Sequence, residues 1–278
     1  MSDGSMPGRF RVATWITTER RNIVYNGSAK EDNPLDEQTS ITVPLLSVDV
    51  RITPRLGVQV ASGLPLIVRS GVVPRPTGAI EFRDEVRGFG DTSAVAWYRR
   101  SHAGWTWTAN GGLSIPTGST RKPRFRPELE NGSLVPMSRL QRGSGTWDPV
   151  LGGVVERSVV GGRWVNSVAS RIPIGENDDG LRVGVAWEVS SGWAHKLGTH
   201  KVMGYSRFDW LRRQQDSFNG TPVLVGGGNW LYASPGVGLV VGKGLNLQAE
   251  VRLPLYRQLA NRQLDSRAIF QFGISRAF

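Results

Sequence analysis

The sequence predicts an all-β fold: a transmembrane antiparallel up-and-down β-barrel of about 12 strands, with short periplasmic turns and longer extracellular loops. Three observations predict it. Apolar and polar side chains alternate with period two in segment after segment of the 278-residue chain. These segments run to about ten to fifteen residues, where strands of soluble sandwiches and propellers usually have about five or six, and their apolar faces stay apolar throughout. The connections between them alternate short and long and polar, as in barrels that cross a membrane.

Taken in order, the first strand lies near 9–24 with Phe10, Val12 and Ile16 on one face. In the second, near 40–53, Leu46, Val48, Val50 and Ile52 alternate with Ser47, Asp49, Arg51 and Thr53. Pro54-Arg55 makes a tight turn into a third strand with Val58, Val60, Leu64, Leu66 and Val68 on one face. Strands near 89–100 and 105–117 flank a short turn at 101–104, and those near 147–158 and 163–174 flank Val159-Val-Gly-Gly162. The next is expected near 181–190, with Leu181, Val183, Val185, Trp187 and Val189 opposite Arg182, Gly184, Ala186, Glu188 and Ser190. Others follow near 201–213, 229–241, 245–257 and 267–278. The last alternates Phe270, Phe272, Ile274 and Phe278 with Gln271, Gly273, Ser275 and Ala277. Segments 25–38, 70–87, 118–146 and 214–228 are the long connections, and three of them hold Asn-Gly turn formers at Asn26, Asn131 and Asn219. The whole chain is expected to be one barrel, with 1–8 as an N-terminal extension.

Composition narrows the function. Cysteine is absent, and three His and four Met leave little for a soft metal site. No stretch approaches the ~18 apolar residues of a membrane helix, and the mean hydropathy of -0.25 is uninformative, because barrel strands turn only half their side chains to lipid. The first residues lack a basic start and an apolar core; a cytoplasmic protein is one reading, and a mature form whose leader has been removed is the preferred expectation. The net charge of +11 is spread without a tail or basic helix, which argues against nucleic acid as a partner.

The terminal aromatic of the last strand resembles the closing strand of a bacterial outer-membrane barrel. Four phrases extend the likeness: Gly88-Phe-Gly-Asp-Thr92, Leu113-Ser-Ile-Pro-Thr-Gly118, Gly145-Thr-Trp-Asp148 and Tyr232-Ala-Ser-Pro-Gly236. In order and spacing the chain is similar to the outer-membrane family known as "MetA-pathway of phenol degradation" proteins, which are described as transporters. The resemblance implies uptake of aromatic compounds, no catalytic motif and no cofactor. It also implies that the terminal strand, with Phe270, Phe272, Ile274 and Phe278, is the assembly signal read by the barrel-insertion machinery.

In such a barrel, polar side chains must face the lumen. Asp49, Arg51, Arg182, Glu188, Arg207, Asp209, Glu250 and Arg252 fall on the polar phase of their predicted strands. They can form a charged constriction that selects small solutes, or a salt-bridged network that fills a narrow bore. The basic cluster Arg121, Lys122, Arg124 and Arg126 is expected in a solvated external loop, or else folded into the mouth as a constriction or against anionic lipopolysaccharide. Trp15, Trp105, Trp107, Trp147, Trp164, Trp193, Trp210 and Trp230 read as interfacial girdles. The expected function is a porin-like channel for passive diffusion of small solutes, aromatic or anionic, with no metal. One alternative is a closed barrel docking a partner protein or lipopolysaccharide. Another is a lipid-modifying enzyme, which His102, His195 and His200, all placed in turns, support poorly.

Overall fold

Twelve antiparallel strands close on themselves in the computed structural model, which describes residues 9–75, 78–120, 124–125, 134–135, 141–198, 201–223, 226–241 and 244–278. The wall consists of β1 (Phe10–Asn26), β2 (Gln38–Arg51), β3 (Leu56–Gly63), β4 (Thr92–His102), β5 (Trp105–Ile115) and β6 (Asp148–Val159). It continues through β7 (Gly162–Arg171), β8 (Ala186–Lys196), β9 (Val202–Arg213), β10 (Gly228–Val241), β11 (Leu245–Leu259) and β12 (Gln263–Ala277). Each strand pairs with its sequence neighbour, and β1 pairs with both β2 and β12, so Thr14 stands opposite Leu46 on one side and Ile274 on the other. Closure leaves the wall without a free first or last strand, as hydrocarbon requires.

The distribution of polarity is inverted relative to a water-soluble domain. Leu46, Val60, Leu151, Val189, Phe208 and Phe272 stand exposed on the outer face, while Asp49, Ser114, Asp209 and Glu250 are buried inside. Period two does this directly, since cross-strand partners share a face: Val48 pairs with Val12 and Val60 outside, Asp49 with Arg11 and Gln59 inside. Connections 52–55, 103–104 and 160–161, together with Leu197, Lys201 and Gly244, lie at the end that carries Phe10 and Phe278, whose backbones bond each other. This is the periplasmic end in a barrel of this kind.

Two strands depart from the sequence expectation. The third does not run on to Val68. It stops at Gly63, and Leu66–Arg75 instead begins a hairpin with Gly78–Arg87, whose first strand pairs with the outer half of β2. Pro44 has no N–H to give the ladder and Pro65 cannot donate either, so pairing is interrupted there and only Leu64 N–H bonds Pro44 C=O, at 2.7 Å. The segment 70–87 is therefore largely strand, not loop. The eighth strand spans Ala186–Lys196 rather than 181–190. Leu181–Arg182 belongs to a small external sheet with Ser217–Phe218 and Thr221–Pro222. Fully buried Asp216 fixes the break by accepting bonds from Gly184 N–H (2.8 Å) and the Arg213 guanidinium (2.9 Å). Strands β1, β11 and β12 also reach further outward than the alternation alone indicated, so this wall stands tall and the connection 260–262 is tight.

Candidate functional site in the barrel interior

A layer of paired charges crosses the inner face of β8–β11. Asp209, with no exposed surface, lies 2.5 Å from Arg207 Nε and 3.5 Å from Arg252 Nε, and accepts the Ser234 hydroxyl at 2.5 Å. Arg207 also donates to Glu250 at 2.9 Å, and Arg252 to Glu188 at 2.8 Å. The Arg252 guanidinium sits 4.8 Å above the Tyr232 ring. Each guanidinium thus serves two carboxylates, and with the Ser234 and Tyr232 partners the charges are held in a fixed geometry.

Nearer the periplasmic end, Asp49 accepts Arg11 at 2.9 Å and the Trp97 indole N–H at 3.1 Å. Glu156 lies between Arg163 (3.6 Å) and Arg99 (3.9 Å). Three inward rings here lie across glycines on the neighbouring strand: Trp15 on Gly273, Trp97 on Gly57 and Tyr205 on Gly236. A Cβ at Gly57 or Gly236 would stand 2.3 Å from the ring, and one at Gly273 2.7 Å. The missing side chain lets each ring flatten against the wall instead of projecting into the lumen.

Toward the outside, the inner faces of β2–β7 carry mostly small or aliphatic residues, with Asp148 and Arg171 among them, and there a cavity of about 640 Å³ opens, bordered also by Asp91, Arg142 and Arg213. Val43, Leu45, Ala61 and Val150 border it, and Glu188 ties its edge to the charge layer. Leu211 joins it to an inward apolar cluster of Trp230, Tyr232 and Leu259 packed with Tyr25 and Ile269. The rim is pinned by Asp91. Its carboxylate accepts Gly118 N–H (3.2 Å), Ser144 N–H (2.8 Å), Ser144 Oγ–H (3.0 Å) and Arg171 Nη2 (2.7 Å), fixing both ends of the connection 116–147. Arg171 reaches on to fully buried Asp148 at 2.7 Å. Gly143 is needed at this crossing, since a Cβ there would fall 2.0 Å from the Asp91 carboxylate.

Of the residues singled out from the sequence, Glu188, Arg207, Asp209, Glu250 and Arg252 come together in one network, with Asp49 apart and Arg51 at the strand end. Arg182 does not join them: it is exposed in the external sheet and donates to Pro173 C=O at 3.3 Å. The cluster Arg121, Lys122, Arg124 and Arg126 lies outside the described residues, apart from the backbone of the two-residue strand Arg124–Phe125. Phe270, Phe272, Ile274 and Phe278 are exposed on the outer face. Trp15 and Trp230 face inward and are not girdle residues. Their parity relative to Ile16 and Leu231 already placed them there, and Trp230 donates to Asp265 at 3.0 Å. His102 and His195 end strands β4 and β8, not turns, and His200 lies outside the described residues. Sequence reasoning missed Asp91, Asp148 and Arg171, although two of them lie in the quoted phrases Gly88–Thr92 and Gly145–Asp148.

No protein-family model and no curated protein matches the chain. Solved structures do resemble it along nearly its whole length. An outer membrane channel from Pseudomonas putida F1 matches with a TM-score of 0.73 at 14% identity, covering 99% of this chain and 97% of that one. The β domain of the Bordetella autotransporter BrkA matches with a TM-score of 0.55 at 13% identity, covering 97% and 100%. A ΔS2S3 mutant of the monoaromatic hydrocarbon channel TodX matches with a TM-score of 0.53 at 9% identity, covering 97% and 90%. At such identities the likeness carries the fold, and that fold is the bacterial outer-membrane β-barrel.

Proposed function

We propose that the barrel is a channel through which small, largely apolar or aromatic solutes diffuse down their gradient. The observation that carries this reading is the cavity of about 640 Å³, with an apolar wall of Val43, Leu45, Ala61, Val150 and Leu211, set directly against the charge layer. A cavity of that size suits a single small molecule. The likeness to two channels, one of them for monoaromatic hydrocarbons, and the resemblance to the phenol-degradation family support the same direction. Asp49, Glu188, Arg207, Asp209, Glu250 and Arg252 act in this reading, with Arg11, as a filter in which each charge is engaged by an opposite one and a single net negative charge remains, so it discriminates by size and polarity more than by the sign of an ion.

Liposome swelling tests it with two solutes of similar size, phenylalanine and arabinose. Faster swelling with phenylalanine is expected. Swelling no faster than protein-free liposomes for either solute would overturn the channel, and equal rates with large ionic conductance would replace it with an open polar pore.

A further inference from the structure

The chain's positive charge is concentrated at one end. Take residue 9, the short connections and the five strand residues next to each of them or to a chain terminus at that end. Among the described residues this zone holds eleven Lys and Arg against two side-chain carboxylates, a net of nine of the chain's +11. The two carboxylates are Asp49 and Glu156, which face the lumen and are engaged by Arg11 and by Arg163 with Arg99. The outward-facing cations have no such partner. Arg100, Arg157 and Arg276 stand exposed on the outer face of the barrel, and Arg55, Lys196 and Lys201 stand exposed around the turns. None of these six takes part in an ion pair among the described residues.

Their setting is the membrane boundary. Arg157 lies 4.9 Å over the Trp105 ring, which stacks on Trp107 at 6.0 Å, and Arg276 lies 5.0 Å over the Phe278 ring. Arg100 is paired in register with Trp107, and Arg157 with Trp164. Outward Trp rings mark the depth where hydrocarbon gives way to headgroups. An arginine laid over such a ring keeps its stem in the apolar layer and its guanidinium at phosphate level. A planar fork at that depth matches a phosphodiester, with which it can form two parallel bonds.

We propose that this collar binds the phosphates of anionic phospholipids in the periplasmic leaflet, so that the barrel carries an annulus enriched in lipids of phosphatidylglycerol type. The inference stands on the placement of charge and does not depend on what the lumen conducts. The full chain, reconstituted in phosphatidylcholine vesicles, is titrated with brominated phosphatidylglycerol or brominated phosphatidylcholine, and quenching of its tryptophans gives the relative binding of the two lipids. An attraction worth about fivefold per contacting arginine near an anionic surface predicts a clear preference for phosphatidylglycerol at low salt, fading in 1 M NaCl. The triple variant R100Q/R157Q/R276Q should lose most of it. The variant K30Q/R83Q/R212Q, changed at exposed cations toward the opposite end, should keep it. A ratio near one for the unaltered protein at low salt would overturn the proposal, whatever becomes of the variants. So would a preference that the first triple variant, shown folded by its heat-dependent gel mobility, retains in full.

Discussion

Replacing Asp209 with alanine measures how dry the barrel interior is. The carboxylate has no exposed surface and takes part in three interactions, at 2.5 Å with Arg207, 2.5 Å with Ser234 and 3.5 Å with Arg252. Removing one partner of a buried ion pair costs about 3–5 kcal/mol, because the other charge is left without compensation. Here neither guanidinium is abandoned, since Arg207 keeps Glu250 at 2.9 Å and Arg252 keeps Glu188 at 2.8 Å. The ionic loss therefore falls at the low end, about 3 kcal/mol, and the Ser234 hydroxyl deprived of its acceptor adds about 1 kcal/mol. A total near 4 kcal/mol is roughly a thousandfold in the unfolding equilibrium. Urea unfolding of the reconstituted barrel, followed by tryptophan emission and extrapolated linearly, resolves such a change. Arg262→Ala, which breaks only exposed contacts, the pair with Glu31 and the bond to Asp32 C=O, should cost about 1 kcal/mol or less in the same assay. If Asp209→Ala were as mild as Arg262→Ala, water would have to reach the carboxylate, and the paired layer could not be the barrier that the filter reading requires.

Asp91→Ala should release both ends of the connection 116–147, which then becomes susceptible to protease added outside intact cells while the barrel stays folded; unchanged resistance would deny Asp91 its pinning role. Val251→Arg puts a charge on the lipid face near mid-strand and should cost about 2–4 kcal/mol in urea unfolding, against much less for Gln248→Arg on the inner face. A larger cost for Gln248→Arg would mean that the strand phase is reversed. Deleting Phe278 removes the backbone bonds to Phe10 and the terminal outward ring, and should reduce the yield of inserted barrel; wild-type yield would show that the terminal aromatic is dispensable for assembly.

The wall was legible in the sequence because lipid enforces period two on every strand that touches it. Leu46, Val48 and Val50, or Leu247, Ala249 and Val251, cannot change phase without putting a polar group in hydrocarbon. What lies beyond the lipid is not so constrained. Val58, Val60, Leu66 and Val68 keep their alternation across a break in pairing, and only Pro44 and Pro65 betray it. Leu181 to Val189 alternates through two different structures, an external sheet and a wall strand. In the lumen, residue types were readable but partnerships were not. Asp49 pairs with Arg11 on the strand before it, and Asp91 with Arg171 from β7, contacts set by register and barrel closure rather than by spacing along the chain. The ring parity of Trp15 was available and lost only to the general habit of tryptophan at interfaces.

The flattened rings have an evolutionary corollary. Trp97, Trp15 and Tyr205 each rest on a glycine that leaves no space for even one carbon, with 2.3, 2.7 and 2.3 Å from a hypothetical Cβ to the ring. A single codon change at Gly273 or Gly236, where a new Cβ meets ring atoms first, would tip the aromatic away from its bed and narrow the passage, with the strand count and the pairing of the staves untouched. Calibre in this architecture is therefore a side-chain property, free to drift from one descendant to the next while the cylinder itself stays the same.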